Sequence, residues 1–385
     1  MATIARDGQR NIGSAGDDDH SRIRRVLAHA FSEKALYAQE NILSSHVDHL
    51  IAKLQETSGQ STNAVRWIQH AIYDIIVYLT FGLEEDSLDH NEGYPPVRLV
   101  FEGFREAVRI VEILRFIPLK NLVLKALMWG FAGAQVQKFK VAVERTESRL
   151  KRSDSEIPDF MSYILRANET ERELSQREIT ANCAFLISAG AHSTASMICG
   201  CLYNLSKNPD CLKKLAELLR STYARECDIT LRKLAQLPYL QAVLDESMRL
   251  YMPVPASLPR TVPPEGAIIC GHYVPPGVSV AVNQYAAFHS VDNFAEPLRF
   301  IPERWLGDSR FVNDQKHVFQ PFTIGPRACL GKNLAYAEIR LVIARIVWRF
   351  SLEIMPDSQN WHVGQNAWLG WKKPKLNMKF IPRDI

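Results

Sequence analysis

One cysteine lies in a loop whose neighbours favour a reactive thiolate. The run Phe322-Thr-Ile-Gly-Pro-Arg-Ala-Cys-Leu-Gly331 presents the sulfur of Cys329 and then opens a helix. Gly325 and Gly331 allow tight turns and the close approach of a flat ligand. The positive end of the following helix stabilises a thiolate, and Arg327 offers a planar fork for a carboxylate. A thiolate is the form of cysteine that binds metal ions, so this loop is the first candidate site.

The other six cysteines show no comparable pattern. A lone cysteine is usually an inert, buried residue, and we interpret these six in that way. The total of seven is odd and no pair has CxxC spacing, which argues against a disulfide framework and a structural zinc site. We therefore expect reduced thiols in a compartment that faces the cytosol. The six are Cys183, Cys199, Cys201, Cys211, Cys227 and Cys270.

A polar turn interrupts the longest predicted helix. The run Ala189-Gly-Ala-His-Ser-Thr194 sets an imidazole and two hydroxyls in succession, and these groups can accept and donate protons. Gly190 removes side-chain bulk at the same turn, where the helix could pass over a flat ligand. The alternative is structural, because the hydroxyls of Ser193 and Thr194 can bond back to carbonyls one turn earlier.

Two further patterns pair charged side chains. Glu246 and Arg249 are three residues apart on a predicted helix and so share one face, and Phe300-Ile-Pro-Glu-Arg304-Trp305 follows them. Similarly, His20 and Arg24 lie one turn apart near the N-terminus. For such residues a solvated surface salt bridge is the alternative to a functional role.

These residues together carry a family resemblance. The cysteine run matches every fixed position of FxxGxRxCxG, so the sequence resembles cytochrome P450 monooxygenases from about Asp19 onward. The other patterns resemble the family's ExxR, PERF-type, W/HxxxR and A/G-G-x-D/E-T-T/S motifs. The resemblance implies haem b with Cys329 as the axial thiolate ligand of the iron, and a buried triad of Glu246, Arg249 and Arg304 that holds the haem loop. It also implies further cofactor-binding residues, namely His20, Arg24, Arg260, Arg327, Phe322, Gly325 and Gly190.

The function that the resemblance implies is that of a haem-thiolate oxidoreductase. It would insert one oxygen atom from O2 into a small apolar substrate, in secondary metabolism, because thiolate ligation favours O–O cleavage. Ser193, with Thr194 and His192, would deliver protons as general acids. NADPH–cytochrome P450 reductase is the expected electron donor, at the cytosolic face of the endoplasmic reticulum. Nucleic acid is not an expected partner, because 46 basic and 42 acidic residues leave a formal charge of only +4.

Two departures from the family pattern leave alternatives open. His192 replaces the usual acid and Ser193 replaces the first threonine. The histidine favours a haem-thiolate enzyme of another reaction type, such as an isomerase, a dehydratase or a peroxide user. Microsomal members also carry an anchor, a helix, sheet strands and a substrate-recognition loop before the position of His20. The expected fold therefore lacks its N-terminal helix and strand region, and a truncated, non-catalytic haem-binding fragment is the second alternative.

The elements that must position these residues are mostly helical. We expect a disordered segment over residues 1–18 and a haem domain over 19–385, with the first helix capped by Asp18 or Asp19. A long buried helix is predicted from Ser175, where Ser175-Gln-Arg-Glu178 fits a capping box, to Asn208, where Pro209 stops it. The fold class is therefore mostly α with minor β structure.

The β structure is predicted in the C-terminal third. Ala267–Val282 reads as a hairpin, Ala286–Arg327 as a long loop, Leu334–Phe350 as a helix and Phe350–Ile385 as strands. The most apolar region, Ile110–Val136, is broken by charged residues, which favours a pair of amphipathic helices on the core over partial contact with a membrane surface. Neither a signal peptide nor a transmembrane anchor is predicted.

Overall fold

Helices make up most of the chain in the computed structural model. The structure describes residues 11–90, 93–102, 132–152, 157–169, 174–367 and 369–383. The helices are α1 Asp17–Leu27, α2 Glu33–Ala38, α3 Glu40–Glu56, α4 Ala64–Phe81, α5 Ala132–Lys151, α6 Phe160–Asn168, α7 Gln176–Lys207, α8 Pro209–Thr222, α9 Leu231–Leu234, α10 Pro238–Leu250, α11 Gln284–His289 and α12 Lys332–Arg349. The strands are β1 Thr62–Asn63, β2 Arg260–Thr261, β3 Ala267–Ile269, β4 His272–Val274, β5 Ser279–Val280, β6 Phe350–Ile354 and β7 Asn377–Pro382. The predicted fold class, mostly α with minor β, is confirmed.

Helix α7 is the central element of the fold. The Glu178 N–H donates to the Ser175 hydroxyl and the Glu178 carboxylate accepts the Ser175 N–H, so the predicted capping box is confirmed. With 32 residues the helix is about 48 Å long, and α4, α5, α10 and α12 pack against it. It is long and apolar enough to cross a membrane, but 72% of its most apolar window is buried inside the protein. This burial is typical of the core helix of a globular fold.

The start of α1 differs from the prediction. Gly16, in extended conformation, precedes the helix, and Asp17, Asp18 and Asp19 all lie in its first turn, where they favour the helix dipole without capping it. The part of the predicted disordered segment that the structure describes is folded. Its Ile12 side chain is buried, and the Ile12 N–H donates to Asn182 Oδ1 on α7 at 2.8 Å. The expectation of disorder up to residue 18 was therefore wrong for residues 11–18, whereas residues 1–10 lie outside the described residues.

Within the described residues, the strands form three small sheets. β3 and β4 pair as an antiparallel hairpin, which confirms the first half of the predicted Ala267–Val282 hairpin. The second half differs, because the chain turns at Pro275-Pro276-Gly277 and β5 pairs with β2. The C-terminal strands β6 and β7 are antiparallel, as expected for Phe350–Ile385, and β1 joins the free edge of β7.

Two boundaries near the candidate site are also corrected. The predicted loop Ala286–Arg327 overlaps α11, whose N-cap Asn283 accepts the Ala286 N–H, and it continues in short 3-10 turns. Helix α12 begins at Lys332, closer to Cys329 than predicted, and ends where β6 begins. The apolar region Ile110–Val136 falls outside the described residues as far as residue 131.

Candidate functional site

The Cys329 loop is closed by its own backbone hydrogen bonds. The Cys329 N–H donates to the Phe322 carbonyl at 2.9 Å, and the Ala328 N–H donates to the Gly325 carbonyl at 2.9 Å. Thr323 and Gly325 have positive φ angles of 57° and 82°. The glycine adopts this conformation at little cost, as the sequence predicted, whereas the threonine stores backbone strain. The turn leaves the Cys329 side chain exposed.

The groups around the Cys329 sulfur shift the pKa of its thiol in opposite directions. Partial desolvation raises the pKa of the thiol, while the Gly331 N–H and the charges of Arg24 and Lys332 favour the thiolate. By contrast, burial raises the pKa of Cys183, Cys199 and Cys201 to about 12. Cys329 is thus an accessible sulfur near cations, at the start of a helix. These are the features of a thiolate ligand.

A cationic cluster lies beside this loop. Arg24 Nη1 donates to the Ala328 carbonyl at 2.7 Å, which ties α1 to the loop. His20 is buried on the same helix, and its pKa is lowered by burial and then by the charges of Arg327 and Arg24. Arg327 Nη2 itself donates to Asp17 Oδ1 at 2.7 Å. The predicted fork for a carboxylate therefore exists, but here it holds an exposed carboxylate of the protein's own chain.

Arg260 is placed differently from the other predicted cationic residues. It lies exposed on β2, and its Nη1 donates to the carbonyl of Pro259 at 3.0 Å. Within the described residues, no hydrogen bond or ion pair joins Arg260 to the Cys329 loop or to α1. The geometry therefore does not add Arg260 to the cationic cluster.

The predicted ionic triad is present and fully buried. The Glu246 carboxylate accepts from Arg249 at 2.9 and 3.0 Å and from Arg304 Nε at 3.0 Å, with all three side chains fully buried. Sequence reasoning missed two further donors to this carboxylate, the Trp305 Nε1–H and the Ile301 N–H, each at 3.0 Å. Every buried charge in this network therefore has partners, which is what offsets its desolvation.

The triad also reaches the chain that precedes the cysteine. Arg249 Nη1 donates to the carbonyls of Phe288 and Pro297 at 2.8 and 2.6 Å, while Arg304 forms a short ion pair with buried Asp314. The Trp305 ring packs on Phe319 with a centroid distance of 4.8 Å. Phe319 lies three residues before Phe322, so the triad anchors the segment that leads into the Cys329 loop.

In the turn of α7 that contains Gly190 and Ser193, the structure shows local contacts that differ from the roles predicted for these two residues. Ser193 Oγ donates to the Ala189 carbonyl at 2.7 Å, which is the local back-bond given above as the alternative. A Cβ at Gly190 would come within 2.9 Å of Ile76 Cδ1 on α4. Close packing against α4, rather than the predicted passage over a flat ligand, is the reason that this structure gives for glycine there.

The side chains of His192 and Thr194 face other elements of the fold. The buried His192 ring lies 6.0 Å from Phe101, centroid to centroid, and packs so tightly on Gly370 that a Cβ there would be 2.3 Å from Cε1. Burial raises the pKa of Glu338, a buried acid on α12, to about 8, and the Thr194 hydroxyl lowers it in part. Sequence reasoning missed Glu338, because an acid amid the apolar residues of α12 looks like part of a solvated face.

Comparison with known proteins agrees with this geometry. A model of the family Cytochrome P450 matches residues 2–380. The chain is a cytochrome P450. A fusicoccadiene 8-ol C-16 hydroxylase of Alternaria brassicicola is 46% identical over 384 residues, which cover 100% of this chain and 78% of the relative. A hydroxylase of the same name from Phomopsis amygdali is 42% identical over 388 residues, which cover 100% of this chain and 74% of the relative.

A third relative is a monooxygenase under another name. A cytochrome P450 monooxygenase named aclL, from Aspergillus oryzae, is 42% identical over 95% of this chain and 75% of its own length. The expected class of enzyme is thereby confirmed: the chain is a fungal-type P450 monooxygenase of secondary metabolism, and its cofactor is a haem whose iron a cysteine thiolate binds.

The residues around Cys329 fit such a cofactor. The accessible sulfur, the Gly331 N–H and the positive end of α12 suit a thiolate ligand. The guanidinium groups of Arg24 and Arg327 suit the carboxylates of a haem, because guanidinium groups bind carboxylates with well-defined geometry, and the neutral imidazole of His20 lies beside them.

Proposed function

We propose that the Cys329 thiolate would bind the haem iron and that this P450 hydroxylates a small apolar molecule. The observation that carries the proposal is the Cys329 loop, which exposes one sulfur beside a backbone N–H and two cations. When bound, haem uses O2, two electrons and two protons to place one oxygen atom in a C–H bond and release the other as water.

Several residues of the chain would hold the cofactor. Arg24 keeps the loop against α1 through the Ala328 carbonyl, and its charge favours the thiolate. Arg327 would exchange its exposed partner Asp17 for a haem carboxylate, since a surface ion pair contributes little stability. Arg260, exposed on β2, would be a further haem carboxylate partner in this proposal. The others are His20, a buried imidazole whose ring N–H can donate to a haem carboxylate, Phe322 and Gly325 in the loop that would approach the ring, and Gly190, whose missing side chain lets α7 pack closely on α4.

Proton delivery is assigned to the polar turn of α7. Ser193 donates its hydrogen to the Ala189 carbonyl, so its lone pairs stay available to accept a proton from water or from a neighbouring group. Thr194 is buried, and His192 is a buried imidazole one residue before Ser193. We propose that Ser193 relays protons and that His192 and Thr194 set the position of its turn.

The substrate and partners are proposed from the relatives. Two relatives are named for C-16 hydroxylation of fusicoccadiene 8-ol, so a terpene alcohol of that kind is the first substrate to test. A redox partner must supply the electrons, and we propose NADPH–cytochrome P450 reductase at the cytosolic face of the endoplasmic reticulum. Contact with the membrane surface is part of the same proposal.

Product analysis under labelled oxygen tests this function. The purified holoenzyme, with the reductase and NADPH, is incubated with fusicoccadiene 8-ol under ¹⁸O2. The proposal expects a product that has gained one labelled oxygen atom and requires NADPH. A product that forms with hydrogen peroxide but not with NADPH, or one that rearranges without gaining oxygen, would replace hydroxylation by another haem-thiolate reaction.

A further inference from the structure

Helix α3 and the turn that follows α4 bring two histidines and two aspartates together. On α3, His46 and His49 are three residues apart and share one face of the helix. One ligand atom from each of His49, Asp86 and Asp89 lies within 4.8 Å of the other two. Imidazole and carboxylate groups are together a donor set that divalent transition-metal ions bind in proteins.

The spacing between His49 and Asp89 suits a shared metal ion. His49 Nε2 lies 3.3 Å from Asp89 Oδ2, slightly farther than a usual N–H···O hydrogen bond. Two ligand atoms that bind one tetrahedral zinc ion at about 2.0–2.1 Å are themselves about 3.3 Å apart. The other oxygen of this carboxylate, Oδ1, binds Lys53 Nζ at 2.7 Å. Lys53 therefore holds Asp89 in place while Oδ2 stays close to His49.

The turn that carries the two aspartates is anchored from inside the protein. Ser87, which lies between them, is fully buried. The Ser87 N–H donates to Asp74 Oδ1 at 3.2 Å, and the Ser87 hydroxyl donates to the His70 carbonyl at 3.2 Å. Both partners lie on α4, so the protein's own hydrogen bonds set the position of the turn before any ion binds.

The buried imidazole of His46 gives independent support. Only 8% of His46 is exposed, and its Nε2 has no hydrogen-bond partner among the residues that the structure describes. This nitrogen faces Glu84 Oε2 at 3.9 Å, which is too far for a hydrogen bond. Burial lowers the pKa of His46 to about 4, and His49 and Asp86 make smaller contributions of opposite direction. A buried polar atom without a partner is costly, and a small movement of Glu84 would supply that partner.

We propose that His49, Asp86 and Asp89 bind a divalent transition-metal ion, for which Zn²⁺ is the probe. In this proposal Glu84 is the fourth ligand, and His46 orients it by donating from Nε2, because carboxylates that bind a metal are usually held by a further hydrogen bond. The three carboxylates and the neighbouring lysine sum to a charge of −2, which matches a divalent cation. Mg²⁺ and Ca²⁺ fit less well, since they prefer larger sets of oxygen ligands. The ion would join α3 to the turn after α4.

Zinc binding to the tag-free, haem-loaded protein tests the proposal. After equilibrium dialysis against Zn²⁺, metal analysis should find zinc bound to the wild type in a saturable manner. X-ray absorption at the zinc edge should show about four nitrogen and oxygen ligands at about 2.0–2.2 Å and no sulfur, which separates this site from zinc bound by cysteine. His317→Ala, which removes an exposed histidine outside the site, is the control and should bind zinc as the wild type does.

Four variants assign the roles within the site. His49→Ala and Asp86→Asn each remove a ligand and should abolish the saturable binding. His46→Phe keeps the buried volume and should weaken zinc binding by about 10–100-fold, the usual loss when a residue that orients a ligand is replaced. Lys53→Met should strengthen binding several-fold, because it removes the cation beside Asp89. A role of this cluster in folding alone would not make zinc bind more tightly to Lys53→Met.

The outcomes separate the site from adventitious binding. The proposal is overturned if the wild type binds no zinc, if the bound zinc has sulfur ligands, or if His49→Ala and Asp86→Asn bind zinc as tightly as the wild type. Circular dichroism and haem content show whether each variant folds. If the ligand variants do not fold, Lys53→Met decides: tighter zinc binding supports the site, and unchanged or weaker binding contradicts it.

Discussion

The Glu246 network and the core around Glu338 are two buried polar regions built in opposite ways. Glu246 accepts five hydrogen bonds, from two arginines, an indole and a backbone amide, so its charge is fully compensated. Glu338 on α12 is buried, its Oε1 has no hydrogen-bond partner among the described residues, and burial raises its pKa to about 8. The first region is built for stability as an ion network, whereas the second stays neutral and can respond to pH. Mutations in the Glu246 network should therefore lower stability strongly, whereas mutations near Glu338 should change how stability depends on pH.

Removal of Glu246 should have the largest effect. Glu246→Ala leaves Arg249 and Arg304 buried without their carboxylate, which costs about 3–5 kcal/mol in free energy of unfolding. Denaturant unfolding of the variant measures this loss, and haem content should fall with it. Glu353→Ala, which removes only a partly exposed pair with Lys379, is the control. A well-folded, fully loaded Glu246→Ala protein would mean that the network does not support the site.

The Glu338 region should show the next largest effect, through pH. Its folded pKa of about 8 exceeds its ordinary value of 4.5, so the folded state holds the proton more tightly than the unfolded state. This contribution to stability is complete below the ordinary pKa and is lost as pH rises through the folded one. Between pH 6 and 8 the loss is about 3 kcal/mol at most.

The comparison of wild type with Glu338→Gln isolates this contribution. Burial raises the pKa of Asp74 to about 6 and lowers the pKa values of His20 and His70, but these groups are the same in both proteins, so their contributions cancel in the comparison. Unfolding free energy should fall from pH 6 to 8 more steeply in the wild type than in Glu338→Gln. Parallel curves would show that Glu338 does not titrate there.

Substitution of Gly190 should have the smallest effect on the free energy of unfolding, and it tests how α7 packs on α4. Gly190→Ala places a Cβ within 2.9 Å of Ile76 Cδ1, and overpacking of this kind costs about 1–3 kcal/mol. Ile76→Val in the same chain removes that methyl group and should recover most of the loss. If the Gly190→Ala protein is as stable as the wild type but loses haem, Gly190 has the cofactor-binding role that was predicted from the sequence.

The same comparison explains what the sequence could predict. The i, i+3 spacing of Glu246 and Arg249, the capping box at Ser175 and the glycine turn at Gly325 are local patterns, and each is present in the structure. Partners that come from distant segments left no local signal. The Trp305 donor, the contact of Gly190 with Ile76 and the burial of Glu338 each depend on how distant segments pack.

The pairing of short strands was hard to predict for the same reason. The sequence indicated a turn at Pro275-Pro276-Gly277, but the choice of β2 as partner for β5 depends on the path of the chain from α10. The start of α1 was misplaced because three successive aspartates offer equivalent caps, whereas Gly16 occupies the N-cap and all three aspartates lie in the first turn.

The reduced, CO-treated absorption spectrum tests the central claim most directly. Wild-type protein and Cys270→Ser, which alters an exposed cysteine in the β3–β4 turn, should both show the red-shifted Soret band of a thiolate-ligated haem. Cys329→Ser should lose that band, because the hydroxyl that replaces the thiol is not deprotonated in this setting. An unchanged red-shifted band in Cys329→Ser would contradict the assignment of the ligand and, with it, the account of the site.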